Sequence, residues 1–160
     1  MLASQRAPET RARVKSLRTL PIRRRPDVDV KRTQKYAVTP AEMWERIGDF
    51  HGLHKWHPAV VETEVREENV RALTLQNGRT TVETKIDEGE LHHSYRIDES
   101  DLPVKNFEAT LLVRESGEGA DGSEIVWTAQ FDAHGAEDAD AAEIVEGVFE
   151  AGLRSLQETA

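Results

Sequence analysis

Four side chains with chemistry to offer, Arg71, Thr84, His93 and Tyr95, fall where strand alternation assigns them to one otherwise apolar face. The assignment rests on Asn77-Gly78, a strong type I′ hairpin signal that sets Gln76 opposite Arg79 and Arg71 opposite Thr84. Leu73, Leu75, Val82 and Ile86 then point inward, and Arg79, Thr81, Glu83 and Lys85 outward. Across the next turn, with Gly89 in a two-residue loop, parity carries Leu91, His93, Tyr95 and Ile97 to the inner side. A polar group left unpaired there costs about 1–3 kcal/mol, and an isolated charge far more. Arg71 must therefore pair with a carboxylate, reach the sheet edge or meet an oxygen-rich ligand. His93 titrates near neutrality and Tyr95 can donate to a developing oxyanion, so together they could serve an enolate or aldol step. The competing reading makes them two hydrogen-bonded members of a cavity wall.

Other candidates carry less. Trp44, Trp56 and Trp127 are large anchors suited to packing helices on a sheet, or to stacking on a ligand. His51, His54 and His57 are three apart, but Pro58 and the bend before it break the helix on which they would align, so no metal is expected. His57 could instead line a pocket mouth. Gly117 to Gly122 lacks the Lys-Ser/Thr of a phosphate loop and reads as a hairpin. With no cysteine there is no disulfide, thiolate zinc site or thiol nucleophile. No motif of hydrolase, kinase or nucleotide-binding chemistry occurs, and no cofactor is implied.

The elements that must position these groups follow from local signals. Val28, Val30, Tyr36 and Val38 predict a first strand running into Thr39-Pro40, where Thr39 as N-cap, Pro40 and Glu42 make a helix start with a capping box. That helix presents Met43, Trp44 and Ile47 and stops at Gly48; a second short turn spans Phe50 to His54, and Trp56-His57-Pro58 is extended. From Val60 to Asp132, turn signals at Glu67-Glu68-Asn69, Asn77-Gly78, Glu88-Gly89-Glu90, Leu102-Pro103 and Gly117 to Gly122 divide an antiparallel meander. In its later strands Phe107, Ala109, Leu111 and Val113 share a face, as do Ile125, Trp127, Ala129 and Phe131. A long amphipathic helix ends the chain, with Ala142, Val145, Val148, Phe149, Gly152, Leu153 and Leu156 on one side and Glu143, Glu146 and Glu150 on the other. Only the inner face of the sheet can cover that stripe. Gly147 and Gly152 cost about 1 kcal/mol each relative to alanine, which implies close backbone approach or space for a ligand.

The expected architecture is thus α+β, a curved antiparallel sheet under a closing helix, with an apolar pocket between them. Its lining is Leu73, Leu111, Trp127, Val145, Phe149, Trp56 and His57, with the polar line of Arg71, Thr84, His93 and Tyr95. The 160 residues suffice for one core, and no run approaches the roughly 18 apolar residues of a membrane span. Charge is uneven: residues 1–26 hold eight Arg and Lys against Glu9, a net of +7, while the remainder carries −16. Residues 1–26 read as a basic, disordered extension and 27–160 as a single domain. The acidic body argues against nucleic acid as a partner of the folded domain. Cytoplasm is the default location, and nothing in the sequence sets the oligomeric state.

Met43-Trp44 through Gly48-Asp49-Phe50, Leu53-His54-Lys55-Trp56-His57-Pro58, Leu73-Thr74-Leu75 to Gly78, Leu102-Pro103-Val104 to Phe107, Trp127 to Phe131 and Gly152-Leu153 to Leu156 together resemble the START and pollen-allergen-like superfamily (SRPBCC). Within it the similarity is to the bacterial polyketide cyclase/dehydrase-like subgroup, over roughly residues 30–157. One departure is Phe107, where many relatives carry Tyr. The resemblance implies a helix-grip fold: a strand, two short helices, a six-stranded meander and a long closing helix. It also implies a small hydrophobic, partly oxygenated ligand such as a polyketide or lipid. Two alternatives stand beside binding: a polyketide cyclase or dehydratase using His93, Tyr95 and Arg71, and a non-enzymatic regulatory or stress-related partner protein.

Overall fold

Residues 25–117 and 121–159 are described by the computed structural model; residues 1–24 of the basic extension lie outside them. β1 (Val28–Tyr36) runs into α1 (Pro40–Ile47), where Thr39 Oγ1 accepts from Glu42 N–H and the Glu42 carboxylate accepts from Thr39 N–H, the reciprocal cap its sequence requires. A 3-10 segment (Phe50–Lys55) follows, then β2 (Val60–Glu67), β3 (Val70–Leu75), β4 (Thr80–Gly89), β5 (His92–Ser100), β6 (Val104–Glu115), β7 (Ser123–Ala133) and α2 (Asp138–Thr159). The strands form one antiparallel sheet in the order β1-β7-β6-β5-β4-β3-β2, so β7 returns to pair with β1. This is the helix-grip arrangement.

One register differs from expectation, and it moves a candidate residue. Leu75 N–H donates to Arg79 O (2.8 Å), and Gly78, at φ 82°, donates its N–H to Leu75 O (2.9 Å). The loop is therefore three residues, Gln76 to Gly78, with the left-handed glycine that closes such a turn, rather than the two-residue type I′ form. Pairing shifts by one: Arg71 lies opposite Glu83, not Thr84. The whole face of β4 inverts, because side chains alternate with period 2. Thr81 and Glu83 are buried, whereas Ile86 is exposed and Val82 only half-buried. Thr84 is on the outer face, where its hydroxyl donates to Asp98; it is not part of the inner polar line. An irregularity between Lys85 and Asp87 adds one residue to β4 and cancels the error, so His93 and Tyr95 face inward as expected.

The closing helix lies on the inner face through Ala141, Val145, Phe149, Gly152, Leu153 and Leu156, all buried. Side chains fasten it at several points, including Arg46 to Thr159 O and Gln157 to Lys35 O near its end. Arg32 on β1 bonds Glu146 and Glu150, the Tyr36 hydroxyl donates to Leu153 O (2.7 Å), and His57 Nε2 meets Val148 O (2.7 Å). Gly152 allows the approach: a Cβ there would stand 2.7 Å from His57 Cδ2 and 3.0 Å from Trp56 Cζ3. Gly147 differs, being exposed with nothing near its missing Cβ. Among the described residues no helix is long and apolar enough to cross a membrane.

Candidate functional site

The inner face carries a buried ion pair wrapped in aromatic rings. Arg71 Nε donates to Glu83 Oε1 (2.8 Å), Nη2 reaches the same oxygen (2.7 Å), and Nη1 donates to Phe50 O (2.7 Å). Its guanidinium carbon lies 3.9 Å from the centre of the Phe50 ring and 4.9 Å from that of Tyr95. Arg71 thus takes the first of its three possible fates, a carboxylate partner. Burial pushes the Glu83 carboxyl up, and the Arg71 charge opposes that shift.

His93 is 2% exposed among Trp44 (5.5 Å between ring centres), Phe50 (5.4 Å, edge-on) and Tyr95 (6.2 Å), and it makes no hydrogen bond to any described residue. Burial, reinforced by the Arg71, Lys85 and His92 charges, pushes its imidazole down to about 3, so it is neutral near pH 7. Lys85 sits at the rim, its ammonium 5.8 Å from the Phe50 ring centre and bonded to Glu88. The Tyr95 hydroxyl accepts from Trp127 Nε1 (3.2 Å); burial pushes its pKa up, so it stays protonated as a donor.

That bond joins a second group. Trp127 stacks on Phe149 of α2 (4.3 Å, 10°) and lies 5.7 Å from Trp56 and 6.1 Å from His57. His57 Nδ1 accepts from Ala59 N–H (3.1 Å), so Nε2 carries the proton and donates to Val148 O; burial lowers the affinity of the ring for a second proton. His57 therefore clamps the helix rather than lining a mouth. His51 Nε2 meets Glu68 O and His54 is exposed, so the three histidines do not converge. Trp56 Nε1 and Thr81 Oγ1 are buried with no hydrogen-bond partner among the described residues.

The structure brings together Arg71, His93, Tyr95, Trp127, Phe149, Trp56 and His57, and places Leu73, Leu111 and Val145 in the surrounding core. It leaves Thr84 out. Sequence reasoning missed Glu83, which it set on the outer face, and Phe50, which closes over the arginine. The signal for Glu83 was present in the demand of a buried Arg71 for a carboxylate. Beneath the helix Trp127 stacks on Phe149, and the expected apolar lining does not border the three clefts found at the surface. Clefts of about 780, 600 and 480 Å³ are present, and none of the three is bordered by Arg71, His93, Trp127 or Phe149.

Fold and site together define a helix-grip protein whose interior joins a buried ion pair to an aromatic core. The chain belongs to the polyketide cyclase/dehydrase and lipid transport family, whose pattern it matches over residues 27–160. No curated protein matches the sequence. Among solved structures it resembles the protein XoxI from Bacillus cereus, at 25% identity and TM-score 0.79 over 82% of this chain and 94% of that one. A START superfamily protein from Mycobacterium smegmatis shares the fold at 12% identity (TM-score 0.70; 82% and 95% covered). So does the Zhui aromatase/cyclase from Streptomyces sp. R1128, at 20% identity (TM-score 0.67; 82% and 92% covered).

Proposed function

We propose that this protein binds a small hydrophobic, partly oxygenated molecule, of polyketide or lipid type, between α2 and the sheet. The observation that carries the reading is His93, a buried neutral imidazole without a hydrogen bond, beside a buried guanidinium and under three aromatic rings. A ligand oxygen or hydroxyl would give this imidazole the hydrogen bond that no described residue supplies. The unpartnered Trp56 Nε1 and Thr81 Oγ1 and the proton of the Tyr95 hydroxyl add donors to the same interior. The aromatic rings supply the apolar contact. Because those rings occupy the interior, binding requires some of them to rotate aside, and the pocket is a minor conformation that the ligand stabilises. Family membership supports a ligand of this class.

Mass spectrometry of the intact protein under native conditions tests this. A co-purified mass, identified after extraction as an apolar molecule bearing oxygen, is the expected result; protein with no adduct, and no mass gained on incubation with aromatic polyketides or fatty acids, would remove the proposal. A cyclase or dehydratase reading draws on the same imidazole, which would have to gain basicity on substrate binding to accept a proton while Tyr95 donates to an oxyanion. Replacing Arg71 and His93 by alanine separates the two. Turnover of a candidate polyketide lost with binding retained supports the enzyme; unchanged turnover excludes it.

A further inference from the structure

Pairing between β5 and β6 stops at Arg96 opposite Glu108, although β5 continues to Ser100 and β6 starts at Val104. A bulge in β6 accounts for the break. Lys105 lies opposite Asp132 and Glu108 opposite Gln130, so β6 spends three steps where β7 spends two. Asn106 within that stretch adopts φ 54°, a left-handed conformation that asparagine takes more readily than most residues with a side chain. It is held there: Asn106 Nδ2 donates to Asp132 Oδ2 (2.9 Å), and the same buried carboxylate accepts Asp27 N–H (3.0 Å). Bulges bend their own strand away from its neighbour.

The resulting gap holds the 780 Å³ cleft. Its border mixes Ile97, Val104 and Phe107 of the inner face with Arg96 and Glu108 of the outer, so the cleft crosses the plane of the sheet. At its inner end Phe107 is 4% exposed, with its ring 6.3 Å from Tyr95 and 5.5 Å from Phe131. A single phenyl ring therefore stands between a solvent-facing cleft and the cluster of Tyr95, Arg71 and His93.

We infer that this cleft is the entrance by which an apolar ligand reaches the interior, and that Phe107 is its gate. The inference rests on the ligand-binding reading above. The other way in, beneath α2, requires breaking the Arg32, Tyr36 and His57 fastenings together, whereas the cleft requires one side chain to change rotamer, a motion of much lower cost. A bulge beside a broken ladder also fits a feature kept for function rather than for stability. The rim bears charge of both signs, Arg96 and Lys105 with Asp98, Glu99 and Glu108, so it suits an amphiphile whose apolar part passes Phe107 while its polar end stays hydrated.

The probe is 1-anilinonaphthalene-8-sulfonate, an aromatic amphiphile, with association followed by stopped-flow fluorescence on the full chain. Phe107→Ala is expected to raise the association rate at least fivefold. As a second route, Glu99→Cys and Lys105→Cys, both exposed on the cleft border, are bridged with a short bismethanethiosulfonate; the chain has no other cysteine, so labelling is confined to this pair. Bridging should slow association at least tenfold, with reductant restoring it, and this result decides the matter alone if Phe107→Ala does not fold. Unchanged rates in the bridged protein, with the dye still bound, overturn the entrance and leave the binding reading standing. No dye binding by the wild type or by Phe107→Ala removes both.

Discussion

His93 offers a quantitative check on the buried site. In the unfolded chain an imidazole titrates near 6.5, and in the folded protein burial and neighbouring positive charge hold it at about 3. Above pH 6.5 both states are neutral and the group leaves stability unchanged. As the pH falls below 6.5 the unfolded chain takes up a proton that the folded protein refuses, so folding loses about 1.4 kcal/mol per pH unit until the folded value is reached. Between pH 7.5 and 5.0 the loss from this one group is about 2 kcal/mol. His93→Phe keeps an aromatic ring against Trp44 and Phe50 and removes the titration. Urea unfolding followed by tryptophan fluorescence at both pH values should show the wild type losing about 2 kcal/mol more than the variant. Because His57 and every carboxylate remain in both proteins, the difference isolates His93. Equal losses in the two proteins would refute the idea of a neutral, desolvated imidazole.

Two further perturbations address the helix and the ion pair. Gly147→Ala should stabilise the protein by about 1 kcal/mol, because the position is exposed mid-helix with open space around it, while Gly152→Ala should destabilise it by about 1–3 kcal/mol by driving a methyl into His57 and Trp56. Thermal or urea unfolding of both reads the contrast, and a Gly152→Ala that gains stability would contradict the close approach. Glu83→Gln should cost about 3–5 kcal/mol by stranding the Arg71 charge, whereas Arg71→Met with Glu83→Leu should be neutral or better. If the single variant is as stable as wild type, the pair is not desolvated; if the double variant retains native-mass ligand, the ion pair serves folding rather than recognition.

Much of the fold was legible because its signals are local. The start of α1 is set by Thr39, Pro40 and Glu42 within one turn, and the stripe of α2 by spacing along 22 residues. The inward parity of His93 and Tyr95 came out correctly, though through two compensating shifts, the longer Gln76 to Gly78 loop and the extra residue between Lys85 and Asp87. Thr84 and Glu83 show where local reading fails. A glycine in the left-handed region can close a loop of two residues or of three, and what the register buries bears on the choice.

By itself, then, the sequence determined the order of elements, the covering of the sheet by α2, and the requirement that a buried Arg71 be answered by an opposite charge. Tertiary structure decided which carboxylate answers it, that Phe50 and Tyr95 both lie against the guanidinium, that Trp127 stacks on Phe149 of α2, and that β5 and β6 part near Asn106. Periodicity and capping depend on neighbours a few residues apart. Register, bulges and ring packing depend on strands brought together from across the chain, where burying one residue or its neighbour changes the free energy by several kcal/mol.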